Sequence, residues 1–158
     1  DCARSSVYRY FDSKEQLLGE VLQERVYSLR REISDEIQRY DDPAEQVVQG
    51  LYLTVVAVKH GPSLDLFRSF AAGQGGEIAD VLMGQVPDMA SELLSDPVFS
   101  SARDAGLLRD GLSDQDILQW LITIAIALLQ QPSYGEHPEE ELAYLRKMLV
   151  PSIFSGGT

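Results

Sequence analysis

Apolar residues recur at three- and four-residue steps along this chain, and helix start and stop signals bracket each run, a pattern that only packed helices can bury. Leu17, Leu18, Val21, Leu22, Val26, Leu29, Ile33 and Ile37 form the first such stripe. Ser13-Lys-Glu-Gln16 precedes it as a capping box, in which the Ser13 hydroxyl can accept from the Gln16 backbone while the Gln16 side chain reaches back. The spacing predicts a helix from 13 to about Tyr40. Strand alternation is nearly absent, so the fold class is all-α.

The punctuation continues downstream. Asp42-Pro43-Ala-Glu45 supplies an acidic cap and a proline at the first helical position, and His60-Gly61-Pro62 stops the helix. Its inward face is expected to be Val47, Val48, Leu51, Tyr52, Val55 and Val58. A short helix over 63–72 should end at Gly73-Gln-Gly-Gly76, and another over about 77–94 should be kinked by Pro87. Asp96-Pro97 caps a further short helix that Gly106 closes. Ser113-Asp-Gln-Asp116 opens a helix that is apolar nearly all round, "ILQWLITIAIALL". Such a helix has to be covered on two sides, by its own core and by a partner chain. The last helix starts at Pro138 with three Glu at its positive end and is expected to bury Leu142, Leu145, Met148 and Leu149 before Pro151.

Over 158 residues the net charge is −12, which looks hostile to nucleic acid. The average hides a division: residues 1–31 hold six Lys/Arg against five Asp/Glu, a net of +1, so the remainder carries −13. One cysteine excludes an intrachain disulfide and points to a reducing compartment or to indifference, with a cytoplasmic setting as the default. The longest apolar run covers 13 residues and contains Gln119 and Thr123, too short to span a bilayer, so no membrane partner is expected. His60 and His137 stand alone at helix boundaries, Cys2 reads as a small hydrophobe, and Gly73-Gln-Gly-Gly76 lacks the Gly-Lys that a phosphate cradle needs. No metal, no cofactor and no catalytic constellation is expected.

The basic, aromatic opening "DCARSSVYRYF" stands apart from the acidic body. If residues 3–11 are helical, Ala3, Val7 and Phe11 share a narrow apolar arc, while Arg4, Ser5, Tyr8 and Arg9 fill the opposite one. A recognition helix has that division, because Arg reads guanine edges bidentately while Ser and Tyr donate to phosphate.

"RSSVYRYFDSKEQLL" resembles the end of the helix-turn-helix of TetR-family transcriptional regulators. In that family a recognition helix ending in Tyr-x-Tyr/His-Phe is followed by a short turn, a Lys and a helix that enters the ligand domain. The resemblance implies that Tyr8, Tyr10 and Lys14 contact DNA phosphates, that Val7 and Phe11 seat the helix, and that Arg4, Ser5, Ser6 and Arg9 are the base-reading candidates. More weakly, "AGLLRDGLSDQDI" resembles the family's approach to its dimerisation helices, and "LVPSIF" its ending. Where the family's turn commonly reads Gly-Val-Ser, this chain has Asp1-Cys2-Ala3.

The resemblance divides the chain into 1–12, the end of a helix-turn-helix domain lacking its first two helices, and 13–158, a helical effector-binding and dimerisation domain joined to it by the long helix. By itself the chain should not bind an operator specifically, whereas its parent should. The implied function is a ligand-responsive transcriptional regulator, a repressor acting as a homodimer on a pseudo-palindromic operator and released by a small, largely hydrophobic effector. Tyr52, Val55, Phe67, Phe70 and Met89 are the candidate effector lining. Ile117, Trp120, Leu121, Ile124, Leu128, Leu142, Leu145 and Leu149 are the candidate dimer interface, built from helices at about 115–130 and 138–150. The alternatives are a helical small-molecule carrier and a small helical enzyme, neither with a DNA role.

Overall fold

In a computed structural model of the protein the described residues are 24, 28, 29, 31–61 and 97–156, and among them the fold is all-helical. The first helix, α1, ends at residue 37. The expectation of about Tyr40 overshoots because the last bonds tighten: Arg39 and Tyr40 donate to Glu36 and Ile37, three residues back. The start expected at Ser13 lies outside the described residues, as do the helices expected over 63–72 and 77–94.

Helix α2, Pro43–His60, starts where its local chemistry dictates, with the Asp42 carboxylate accepting from the Ala44 backbone at 3.0 Å. It stops at Gly61, whose backbone is extended, the conformation that a following proline imposes. A side chain there would bring its Cβ within 2.7 Å of the Ala57 carbonyl, so only glycine fits. Val47, Val48, Leu51, Tyr52 and Val55 point inward as expected. Val58 is only half-buried, and Lys59 takes the inward position in its place.

Helix α3, Pro97–Asp104, buries Phe99 and Ala102. Gly106 closes it with a left-handed φ of 67°, and Leu107 donates back to Ala102. Helix α4, Asp114–Leu129, begins with a reciprocal cap: Asp116 donates its backbone N–H to the Ser113 hydroxyl, and its carboxylate accepts from the Ser113 backbone at 2.8 Å. The Ser113 hydroxyl also donates to that carboxylate at 2.5 Å, and this bond first, with the backbone one, holds the Asp116 carboxyl below its ordinary range.

Helix α5, Pro138–Ile153, runs through Pro151 rather than ending before it. The ring sits in the last turn, and Phe154 still donates to Val150 beyond it. Leu145, Leu149 and Ile153 face the core one turn apart. The expected burial of Met148 is not found; it is 55% exposed, because position 148 falls off that stripe. Beyond α5 the chain doubles back on the segment that links α3 to α4. Leu108 and Phe154 form an antiparallel bridge, flanked by bonds from Arg109 N–H to Ile153 and from Ser155 N–H to Leu107.

Helix α2 packs against α3, α4 and α5, and the core is built around it from Val48, Val55, Phe99, Ile117, Leu145 and Leu149. Three polar ties bind the layers. Glu45 and Arg146 make a two-pronged pair between α2 and α5 at 2.8 and 2.7 Å. Arg103 holds the buried Asp114 at the start of α4. Lys59, at the end of α2, donates to the Gln131 carbonyl and, at 3.2 Å, to that of Pro132.

Candidate functional site

The inward end of α2 meets the connection between α4 and α5 in a cluster of aromatic and charged groups. Tyr52 and Val55, named above as effector lining, are both buried there, at 7% and 0% exposure. Tyr134, from the connecting loop, brings its ring to 5.9 Å from that of Tyr52, tilted by 52°. The Lys59 ammonium lies 5.9 Å from the Tyr134 ring centre while donating to the loop carbonyls, so its charge is shared between the ring face and the backbone.

Glu141, in the first turn of α5, organises the same loop. Its carboxylate accepts from the Gly135 N–H at 2.8 and 3.0 Å and from the His137 N–H at 3.4 Å. Gly135 adopts a φ of 101°, which a side chain would resist, and that turn aims its N–H at the carboxylate. Burial, with the Glu141 charge nearby, raises the pKa of Tyr52. The same causes, burial first, then Glu141 and Tyr52, push the Tyr134 phenol far above its ordinary value. Both phenols are therefore protonated at neutral pH. The Tyr134 hydroxyl is buried, and among the described residues it has no hydrogen-bond partner.

Phe67, Phe70 and Met89, the remaining effector candidates, lie outside the described residues, as do Arg4, Ser5, Ser6, Tyr8, Arg9, Tyr10 and Lys14, the DNA candidates. Tyr134 and Lys59 were missed by sequence reasoning. Tyr134 follows Pro132-Ser133 in a loop where helical periodicity is silent, and Lys59 sits among α2 residues whose charge suggests solvent.

The eight interface candidates separate into two groups. Ile117, Leu128, Leu145 and Leu149 are 1–4% exposed and packed in the chain's own core, where a partner helix could reach them only by unpacking it. Leu121, Ile124 and Leu142 pack against that core but stay half-exposed, and Trp120 is 43% exposed. The Trp120 indole N–H donates to the Ser152 hydroxyl at 2.8 Å, which brings the outer faces of α4 and α5 together. Tyr144, Met148 and Ser152 follow one another at single-turn spacing on α5, so Trp120, Met148 and Tyr144 make one apolar outer strip.

Among the described residues no group of three or more His, Cys, Asp or Glu is placed to hold a metal, and no helix is long and apolar enough to cross a membrane. No known family model matches the chain, and no solved structure matches it significantly. It is similar to two proteins, each named an uncharacterized HTH-type transcriptional regulator, from two strains of Mycobacterium tuberculosis. Each is 26% identical over 156 residues, which span 96% of this chain and 70% of the relative.

Proposed function

We propose that the protein is a DNA-binding transcriptional regulator of the helix-turn-helix type that acts by binding and not by catalysis. The observation that carries this reading is the similarity over 96% of the chain to two proteins named as such regulators. The all-helical fold agrees with it, and so does the resemblance of "RSSVYRYFDSKEQLL" to the recognition-helix end of TetR-family proteins. On this reading residues 1–12 end the DNA-binding domain, with Arg4, Ser5, Ser6 and Arg9 toward bases and Tyr8, Tyr10 and Lys14 toward phosphates. Residues 13–158 are the effector and dimerisation domain of a cytoplasmic repressor.

Two features of the described residues support the regulatory half. On this reading the aromatic cluster around Tyr52 and Tyr134 lies beside the place that a largely hydrophobic effector takes. The outer strip of Trp120, Met148 and Tyr144 is where a second copy docks, adding two helices to α4 and α5 in a four-helix arrangement. An effector that favours one of two arrangements of the dimer shifts the spacing of its recognition helices, which must sit one DNA turn apart, ~34–36 Å, or a multiple of it, to read both half-sites.

The test is selection from a random DNA pool with the gene product that contains this chain. A pseudo-palindromic sequence should be enriched, and log K for it should fall with log salt at ~0.9 per phosphate neutralised. Arg4→Ala or Arg9→Ala should cost about 1–3 kcal/mol at particular bases if that residue reads guanine. Enrichment of no sequence would refute the regulator reading and leave the carrier.

A further inference from the structure

An indole tied across two helices is a contact that the fold itself does not need. Trp120 is 43% exposed, so water could satisfy its N–H. Instead Nε1 donates to the Ser152 hydroxyl at 2.8 Å, 32 residues along the chain. The acceptor is itself fixed. Ser152 donates its hydroxyl proton to the Leu149 carbonyl at 2.6 Å, which leaves the oxygen lone pairs to receive the indole. Arg109 holds the same turn from outside, its backbone N–H donating to Ile153 at 2.9 Å and its guanidinium to the Ser152 carbonyl at 3.4 Å. From this chain of bonds we infer that Ser152 is a positioning residue for the docking of a second copy: it holds the Trp120 ring across from α4 to α5 before the partner arrives. The inference rests on the reading of this outer strip as the contact between copies, and adds the residue that sets its shape.

Charge supports a second copy as the occupant. Two chains of net charge −12 repel wherever their acidic surfaces face each other. Residues 117–131 contain no charged side chain, and within that stretch α4 exposes Gln119, Trp120, Thr123 and Ala127. An acidic chain meets its copy with least repulsion on such a face. Trp120 is the largest of these side chains, and an indole free to turn loses that freedom on docking. One already held by Ser152 has less to lose, so association is opposed by less entropy.

Trp120 is the one tryptophan in the sequence, so its fluorescence reports this contact alone. The experiment compares wild type, Ser152→Ala and Ser152→Thr by sedimentation equilibrium, and by time-resolved fluorescence anisotropy and thermal melting at a dilution that favours the monomer. In Ser152→Ala the indole should gain fast local motion, and the dimer dissociation constant should rise about tenfold, because each of the two copies then has one more side chain to order. Its melting point should hold, since an exposed bond that water can replace adds little stability. Ser152→Thr keeps the hydroxyl and should behave as wild type in all three. An indole equally still in Ser152→Ala, or a looser indole with an unchanged dissociation constant, overturns the proposal. So does a melting point several degrees lower, which would make the bond a fastening of the fold, and so does a threonine variant that behaves as alanine. The docking reading fails separately: a wild type that sediments as a monomer at every concentration refutes the contact itself, whereas a wild-type dimer matched in affinity by Ser152→Ala refutes only the role given to Ser152.

Discussion

Lys59 is the polar residue on which the packing of α2 against the loop after α4 most depends, and replacing it with methionine isolates its charged end. Methionine keeps much of the buried stem and loses the ammonium, which donates to the carbonyls of Gln131 and Pro132 beyond the end of α4. Hydrogen bonds to a charged group contribute ~1.5–3 kcal/mol each. Both carbonyls belong to residues exposed to solvent, so water can replace part of what is lost. The desolvation cost of the ammonium itself also disappears. Taken together, Lys59→Met should destabilise the fold by about 2 kcal/mol, which lowers the melting temperature of a chain of this size by ~4–8 °C. Urea titration followed by far-ultraviolet circular dichroism measures the difference directly. A loss below ~0.5 kcal/mol, or a gain of the kind seen when buried charges are replaced by apolar groups, would refute the reasoning.

The Glu45–Arg146 pair predicts a pH signature. Hydrogen bonding from Arg146, opposed by burial and helped by Gln49, holds the Glu45 carboxyl below its ordinary value of 4.5. The folded protein therefore binds this proton less readily than the unfolded chain, so the contribution of the pair is complete above 4.5 and is lost as pH falls through the lower folded value. The stability gap between wild type and Glu45→Gln, measured by urea titration, should be ~0.5–1 kcal/mol at neutral pH, because Arg146 is half-exposed, and should close in acid. A gap that widens in acid would contradict the sign. If two copies pair through the outer strip as proposed, Trp120→Glu together with Met148→Glu should give folded monomers by sedimentation, whereas Leu145→Arg should unfold the protein, since Leu145 is 1% exposed in its own core. A folded Leu145→Arg monomer would show that Leu145 faces a partner after all.

Helix starts were the most legible part of this fold, because a cap is decided within four residues. Asp42-Pro43 and Ser113 with Asp116 hold the structure's own N-terminal bonds. Gly106 was legible as a stop for the same reason. Helix faces were read less well, since periodicity says that a stripe exists and not where its edge falls. Met148 and Val58 sit at such edges, and packing leaves the first exposed and the second half-buried. The candidate site was legible only in part. Tyr52 and Val55 lie on a periodic helix, but Tyr134 reaches them from a loop, and Lys59 goes inward only because two backbone carbonyls come from the end of α4 to meet it. Partnerships across more than seventy residues leave no local trace in sequence.

The bridge between Leu108 and Phe154 makes α4 and α5 a closed ring of chain, tied where it begins and where it ends. The tie uses residues 153–155, so it cannot form until those residues have left the ribosome. A chain cut short before Ile153 would keep α4 and nearly all of α5, with the Trp120–Ser152 bond between them, but not the fastening between their ends. Closing so long a loop costs entropy that only the finished core returns. The fastening therefore makes the alignment of α4 with α5 depend on the last turn of α5 and the two residues after it, so that a change there loosens both helices at once.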